Sequence, residues 1–326
     1  MPPKKRWKGD QSFGSRRPHQ CWRYATMPRN VSIAACQFLV RPVASFDEFA
    51  EHVRMLLDKA QGADIVLFPE LFTIGLFTTF SDWRNTPLTE LTRLDQYTGS
   101  YRELFEGEAK KRRQWILAGS HLAKEGGRYL NTGHLFGPKG EMHIHAKTHI
   151  FPEEAVWSTA EGDTMEAIDL PFARVGINIC YETEIPECSA SLTQQGVEII
   201  LCPSFTMSEQ GFWRVRHCAQ ARCVENQIYY VHCCTGGHPG GPLPDGWARS
   251  SILSPCDTLW SPDGIVAQAE PNQEMVVRGE VDIDKLYENR RTGAGLTYRD
   301  RRRRANLYAQ WPSHMAVKAA PHAAPK

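Results

Sequence analysis

Residues 31–70 read VSIAACQFLVRPVASFDEFAEHVRMLLDKAQGADIVLFPE, and the hydrophobic period of this stretch changes twice. VSIAACQFLV (31–40) is a continuous apolar run of strand length. After it, Phe46, Phe49, Ala50, Val53, Leu56, Leu57 and Ala60 recur at the spacing of a helix with one buried face. Ser45 and Glu48 stand at capping-box spacing, and Gly62 follows as a terminator. IVLFPE (65–70) then returns to a short apolar strand bounded by Pro69. Strand, helix, strand is the βαβ crossover, which implies parallel pairing and an α/β class.

The alternation continues outward. A helix is expected near 101–113, followed by the strand QWILAGSH (114–121). GHLFGP (133–138) and EMHIHAK (141–147) read as a hairpin turning at Pro138-Lys139-Gly140. RVGINIC (174–180) is a strand leading into a helix that Pro186 can open and Gly196 can close. VEIILCP (197–203) and QIYYVHCC (227–234) are strands on either side of a helix at about 212–226. A Gly/Pro-rich loop fills 236–246, and SSILSP, GIVAQAE and MVVRGEVD form an antiparallel end. Neither a linker nor a fixed-period repeat divides residues 31–310, so one domain with mixed sheets is expected there. A basic arm (1–30) precedes it and a tail (311–326) follows.

Composition limits the class. The 326 residues are 41% apolar and 23% charged, which excludes a wholly disordered or fibrous chain. No apolar run approaches the roughly 20 residues of a membrane-spanning helix. The formal charge of +1 is an average: the first 30 residues hold eight Lys/Arg against Asp10, and the remainder carries a net charge of −6. A basic arm can touch nucleic acid or an acidic membrane, but no aromatic-and-basic recognition pattern accompanies this one. It reads as a solvated extension, with nucleic acid not expected as a partner. A transit peptide is disfavoured, because the arm is not visibly amphipathic. The ten cysteines follow no apolar leader, and several lie inside apolar runs where a thiol acts as a small hydrophobe. They are expected to be reduced, in a cytoplasmic protein.

Three chemically capable side chains stand where apolar strands stop: Glu70 after IVLFP, Lys147 after EMHIHA and Cys180 after VGINI. In open α/β sheets, sites collect at the carboxyl ends of strands. A cysteine between a strand and a helix is a candidate nucleophile, with backbone N–H groups and a neighbouring cation favouring its thiolate. A glutamate can take the thiol proton and later activate water, and a lysine can stabilise an oxyanion.

The segments IVLFPELFTIG (65–75), HAKTHIFPEEAVW (145–157), GINICYETEIPE (176–187) and HCAQARCVENQIYYV (217–231) together resemble the carbon–nitrogen hydrolase (nitrilase) superfamily. The resemblance spans roughly residues 31–310 and is nearest to predicted amidohydrolases sometimes fused to an acetyltransferase. It implies a four-layer α-β-β-α sandwich, two sheets face to face with helices outside. It also implies Cys180 as nucleophile, Glu70 as general base, and Lys147 with the Tyr181 N–H as oxyanion donors. A second glutamate follows the lysine in this family, and Glu154 takes that place, with Glu153 as the alternative. No metal or organic cofactor is implied. The implied substrate is a small linear amide or ω-amide; a nitrile, or acyl transfer from the same thioester, is the alternative. A homodimer or higher homo-oligomer is expected.

Other residues carry competing readings. Tyr181, Phe205 and Trp157 are aromatics near the inferred site, fit either to line a substrate pocket or to pack the core. His143 and His145 share a strand face with Lys147, and a His-x-His can bind zinc, but spacing supplies no third ligand. His232, His238 and Cys234 form another cluster without metal spacing. Structural histidines are preferred in both places. Cys36 and Cys202 lie in apolar strands, Cys188, Cys218 and Cys223 on expected helices, and one of Cys233 and Cys234 must face the core. The arginine run 299–304 reads as a solvated face or as pairing across a subunit interface.

Overall fold

The computed structural model describes residues 29–158 and 160–311. Most of the basic arm, with Cys21, and residues 312–326 of the tail lie outside them. The chain runs β1 (Asn30–Val40), α1 (Phe46–Lys59), β2 (Ile65–Leu67), α2 (Thr98–Arg112), β3 (Trp115–Glu125), β4 (Arg128–Phe136) and β5 (Met142–Ala146). It continues with β6 (Ile168–Asp169), β7 (Arg174–Ile177), α3 (Pro186–Gln194), β8 (Ile199–Phe205), α4 (Glu209–Asn226) and β9 (Tyr229–Gly237). The last elements are β10 (Ser251–Leu253), β11 (Ile265–Gln268), β12 (Met275–Asp282), α5 (Ile283–Thr292), α6 (Thr297–Arg303) and α7 (Ala305–Tyr308).

The first βαβ unit forms as its sequence dictates. Ser45 caps α1, its hydroxyl accepting from Glu48 N at 3.2 Å. Glu48 reaches back to Ala44 N at 2.7 Å, one residue beyond the partner an ideal capping box would choose. Phe49, Ala50, Val53, Leu56 and Leu57 face the sheet. His52 shares that face, and its polarity is met by Glu274 at 2.6 Å.

Two mixed sheets result. In one the order is β5-β4-β3-β2-β1-β12, with β1, β2 and β3 parallel. In the other it is β6-β7-β8-β9-β10-β11, with β7, β8 and β9 parallel. β1 serves both: Ile33–Ala35 pair with β2, while Phe38–Val40 pair with Thr235–Gly237 of β9.

Side-chain alternation sorts the apolar residues into layers. Ile33, Ile65 and Leu117 of the first sheet meet Val175, Ile199, Leu201 and Val231 of the second in one buried cluster between the sheets. The opposite face of the first sheet, with Ala34, Val66 and Ile116, packs on α1 and α2. The opposite face of the second, with Ile200, Cys202 and Tyr230, packs on α3 and α4. The fold is therefore a four-layer α-β-β-α sandwich. Each fully buried aliphatic side chain contributes roughly 1.5–3 kcal/mol through removal from water.

Some boundaries differ from expectation. β8 runs past Pro203 to Phe205, although a proline should stop an inner strand. Its neighbour β7 pairs only with Ile199–Leu201, so beyond Leu201 one edge of β8 is free and Pro203 forfeits no ladder bond. The arginine run does more than solvate a surface. Arg302 donates to Thr193 O at 2.6 Å and stacks 3.5 Å over Tyr298, while Arg301 binds Asn226, pinning α6 to α3 and α4. All nine described cysteines are free. Among the described residues, no helix is long and apolar enough to cross a membrane.

Candidate active site

Three strand ends converge on one cleft. Glu70 lies three residues beyond β2, on a turn held tightly against β3. Gly119 makes that approach possible: its φ is +63°, and a Cβ there would fall 1.9 Å from Pro69 O. Ser120 N donates to Pro69 O at 3.2 Å, and the Ser120 hydroxyl accepts from Leu71 N at 3.1 Å. Leu71 itself sits in the left-handed region at φ 46°.

Lys147 follows β5 and is 1% exposed. Its Nζ donates to Glu70 Oε1 at 2.7 Å and to Glu154 Oε2 at 2.5 Å. Glu154, from the short 3-10 turn Pro152–Val156, also accepts from Ser158 Oγ at 2.9 Å. Glu153 beside it is exposed and also lines the cleft. Asn131 of β4 closes the cluster, its Nδ2 donating to Glu70 Oε1 at 2.9 Å and to Glu154 Oε1 at 2.8 Å. One ammonium and one amide thus hold two carboxylates side by side.

Cys180 opens the 3-10 turn Cys180–Glu184 after β7, in the left-handed region at φ 46°. Such a conformation costs a non-glycine residue on the order of 1–3 kcal/mol and persists only when its surroundings impose it. Glu182 supplies the restraint. Fully buried, it accepts from Ile179 N at 2.5 Å, Thr148 N at 2.7 Å, Thr148 Oγ1 at 2.6 Å and His145 Nε2 at 2.9 Å. These bonds tie the cysteine turn to the strand end that carries Lys147. They also occupy His145, while His143 lies beside the Trp115 ring; neither stands in a metal-type cluster among the described residues. His238, from the other suggested cluster, pairs at the surface with Asp245 while His232 is buried.

The overhang of β8 completes the site. Ser204 Oγ donates to Cys180 Sγ at 3.4 Å, and the thiol lies 3.6 Å from Phe205 O. Phe205 N donates to Glu70 Oε2 at 2.7 Å. Phe205 therefore meets Glu70 through its main chain and also lines the cleft. Tyr181, Phe205 and Trp157 all line the cleft, with Tyr181 edge-on to Phe151 at 5.5 Å. Trp157 Nε1 is buried without a hydrogen-bond partner among the described residues, a donor that a polar ligand can satisfy.

The electrostatics follow from burial and pairing. Burial pushes the Glu70 carboxyl up; Lys147 opposes this and the charge of Glu154 adds to it, leaving a net rise. Burial alone would lower the Lys147 ammonium, but Glu154, Glu70 and Cys180 more than reverse this, and it stays protonated well above its ordinary range. The Cys180 thiol is raised well above its ordinary value by burial and by Glu70, with Lys147 offsetting only part. Lys147 thus favours the thiolate as expected, but burial and Glu70 outweigh it.

Asn131, Ser158, Ser204 and Glu182 were not among the residues expected from sequence. An amide inside the apolar strand YLNTGHLF was the one available signal for Asn131.

Comparison with known proteins bears on the family and the fold. The carbon–nitrogen hydrolase family model matches residues 32–291. "Probable hydrolase YhcX" of Bacillus subtilis is 37% identical over 88% of this chain, which spans only 56% of that protein's length. "Omega-amidase NIT2-A" of Xenopus laevis is 28% identical over 85% of this chain and 96% of its own. The crystal structure of a carbon–nitrogen hydrolase from Helicobacter pylori superposes with a TM-score of 0.71 at 19% identity, covering 86% of this chain and 98% of that one, a likeness of fold.

Proposed function

The chain belongs to the carbon–nitrogen hydrolase family, and on that premise we propose that it hydrolyses the C–N bond of a small linear amide through a thioester on Cys180. Glu70 takes the thiol proton as Sγ attacks the amide carbon, so that neither a free thiolate nor a second buried anion has to persist. The carbonyl oxygen becomes an oxyanion, held by Lys147 Nζ and the Tyr181 N–H. Collapse expels ammonia or an amine, which leaves with the proton from Glu70. Water then loses a proton to Glu70 and attacks the thioester, and the second collapse returns that proton to the departing sulfur. Glu154 keeps Lys147 charged and in place throughout. No step calls on a cofactor.

The observation that carries this reading is the meeting of Cys180, Glu70 and the doubly paired Lys147 at the floor of one cleft. Ammonia release across a panel of linear amides tests it. Cys180→Ala should fall to background while keeping its fold, and unchanged turnover would sink the mechanism. Acid formation from a nitrile would redirect the reading to a nitrilase, and efficient trapping by added amine to an acyltransferase. A homo-oligomer and a cytoplasmic setting belong to the same proposal, with gel filtration and cell fractionation as their checks.

A further inference from the structure

The mouth of the cleft carries charges that the reaction does not use. Glu153 and Glu184 line it together with Arg214 of α4. Arg214 is already matched: its Nε lies 2.7 and 2.9 Å from the two oxygens of Glu184, and its guanidinium sits 5.4 Å over the Phe151 ring. Lys147, the other cation of the cleft, is claimed by two carboxylates. Glu153 has no ion-pair partner among the described residues. Four carboxylates thus line the cleft against two cations, and protonating Glu70 still leaves one negative charge in excess.

The N-terminus of α4 also opens on the cleft, through Ser208 and Gly211, and a helix N-terminus favours anions. Here Glu209 in the first turn meets that dipole, and Ser208 Oγ takes the Gly211 N–H at 3.1 Å. The walls are the aromatic rings of Phe151, Trp157, Tyr181 and Phe205, which suit an alkyl chain and can face an ammonium. The cavity volume of about 260 Å3 limits the occupant to a small metabolite.

We propose that the substrate is a linear amide whose far end is positively charged, an alkylammonium seated at the carboxylate rim of Glu153 and Glu184 while its carbonyl reaches Cys180. This rests on the amidase reading above. A carboxylate-tailed amide would have to take Arg214 from Glu184 and lie against Glu153.

The test uses the full-length chain and amides of equal length ending in ammonium, methyl or carboxylate, with kcat/KM read from ammonia release. The ammonium amide should exceed the methyl one by about tenfold, the effect of one charge at ~6 Å in a half-solvated site. The carboxylate amide should fall below both, and the preference should shrink as salt rises. Glu153→Gln, at an exposed position, and Glu184→Gln should each cut the ammonium-to-methyl ratio about fivefold to tenfold, chiefly through KM. Preference for the methyl or carboxylate amide overturns this proposal and leaves the amidase reading standing. Failure to hydrolyse any of the three overturns both.

Discussion

Asn131 is the residue on which the two site carboxylates depend for more than charge. Its amide gives one N–H to each of them, and its backbone O accepts from Lys147 N at 2.9 Å. A donor to a carboxylate stabilises the charged form, so Asn131 restrains the upward drift that burial imposes on Glu70. Asn131→Leu, of similar volume, should therefore raise Glu70 further. The acid limb of kcat/KM should move to higher pH by about one unit, the equivalent of one charge-assisted hydrogen bond. A profile that falls in height without moving would mean that Asn131 only packs. This residue was not legible in the sequence, because its partners lie 61 and 23 positions away and no local pattern announces them. Glu70, Lys147 and Cys180 were legible because each ends an apolar strand inside a recognisable motif.

At the scale of elements, the site is made from what lies beyond the ladders. The overhang of β8 past β7 leaves Ser204 and the Phe205 main chain free to meet Cys180 and Glu70. The turn 180–184 is held by the bonds to Glu182, whose carboxyl lies below its usual range because His145 and Thr148 outweigh the cost of burial. Glu182→Gln turns one acceptor oxygen into an NH2 facing backbone donors. It should cost about 2–4 kcal/mol in chemical denaturation and lower kcat more than it raises KM. A loss below about 0.5 kcal/mol would show that the turn keeps its shape unaided. Periodicity disclosed the long helices and strands because their apolar faces repeat. It was silent over 71–97, where FTIGLF is apolar without a period and the chain winds instead through 3-10 turns at Phe72–Thr79, Trp83–Asn85 and Leu88–Tyr97. The extent of β8 was hidden for another reason, since whether a proline ends a strand depends on which edge its neighbour leaves open.

For the molecule as a whole, acid is the predicted weakness. His121 of β3, His134 of β4 and His232 of β9 are buried, and desolvation lowers each from 6.5 to about 3. Arg102 Nε donates to His134 Nε2 at 3.2 Å, which requires that nitrogen to be neutral. The unfolded chain binds these three protons from near pH 6.5 downward, whereas the folded chain takes them only near 3. Stability is therefore fully present above about 6.5 and lost between there and about 3, with a slope approaching about 4 kcal/mol per pH unit. Urea midpoints measured from pH 7 to 4 should fall accordingly, and a flat series would refute the assignment. β1 adds a consequence in time. The strand at the start of the fold pairs Asn30 with Asp282 near its end, and it also joins the sheet bearing Glu70 to the sheet bearing Cys180. A chain leaving the ribosome in order cannot close that seam until Asp282 has emerged, so its first strand waits through most of synthesis with an edge unclaimed. A message cut short after Tyr181 but before Met275 yields every catalytic side chain proposed here and no β12 to cover that edge.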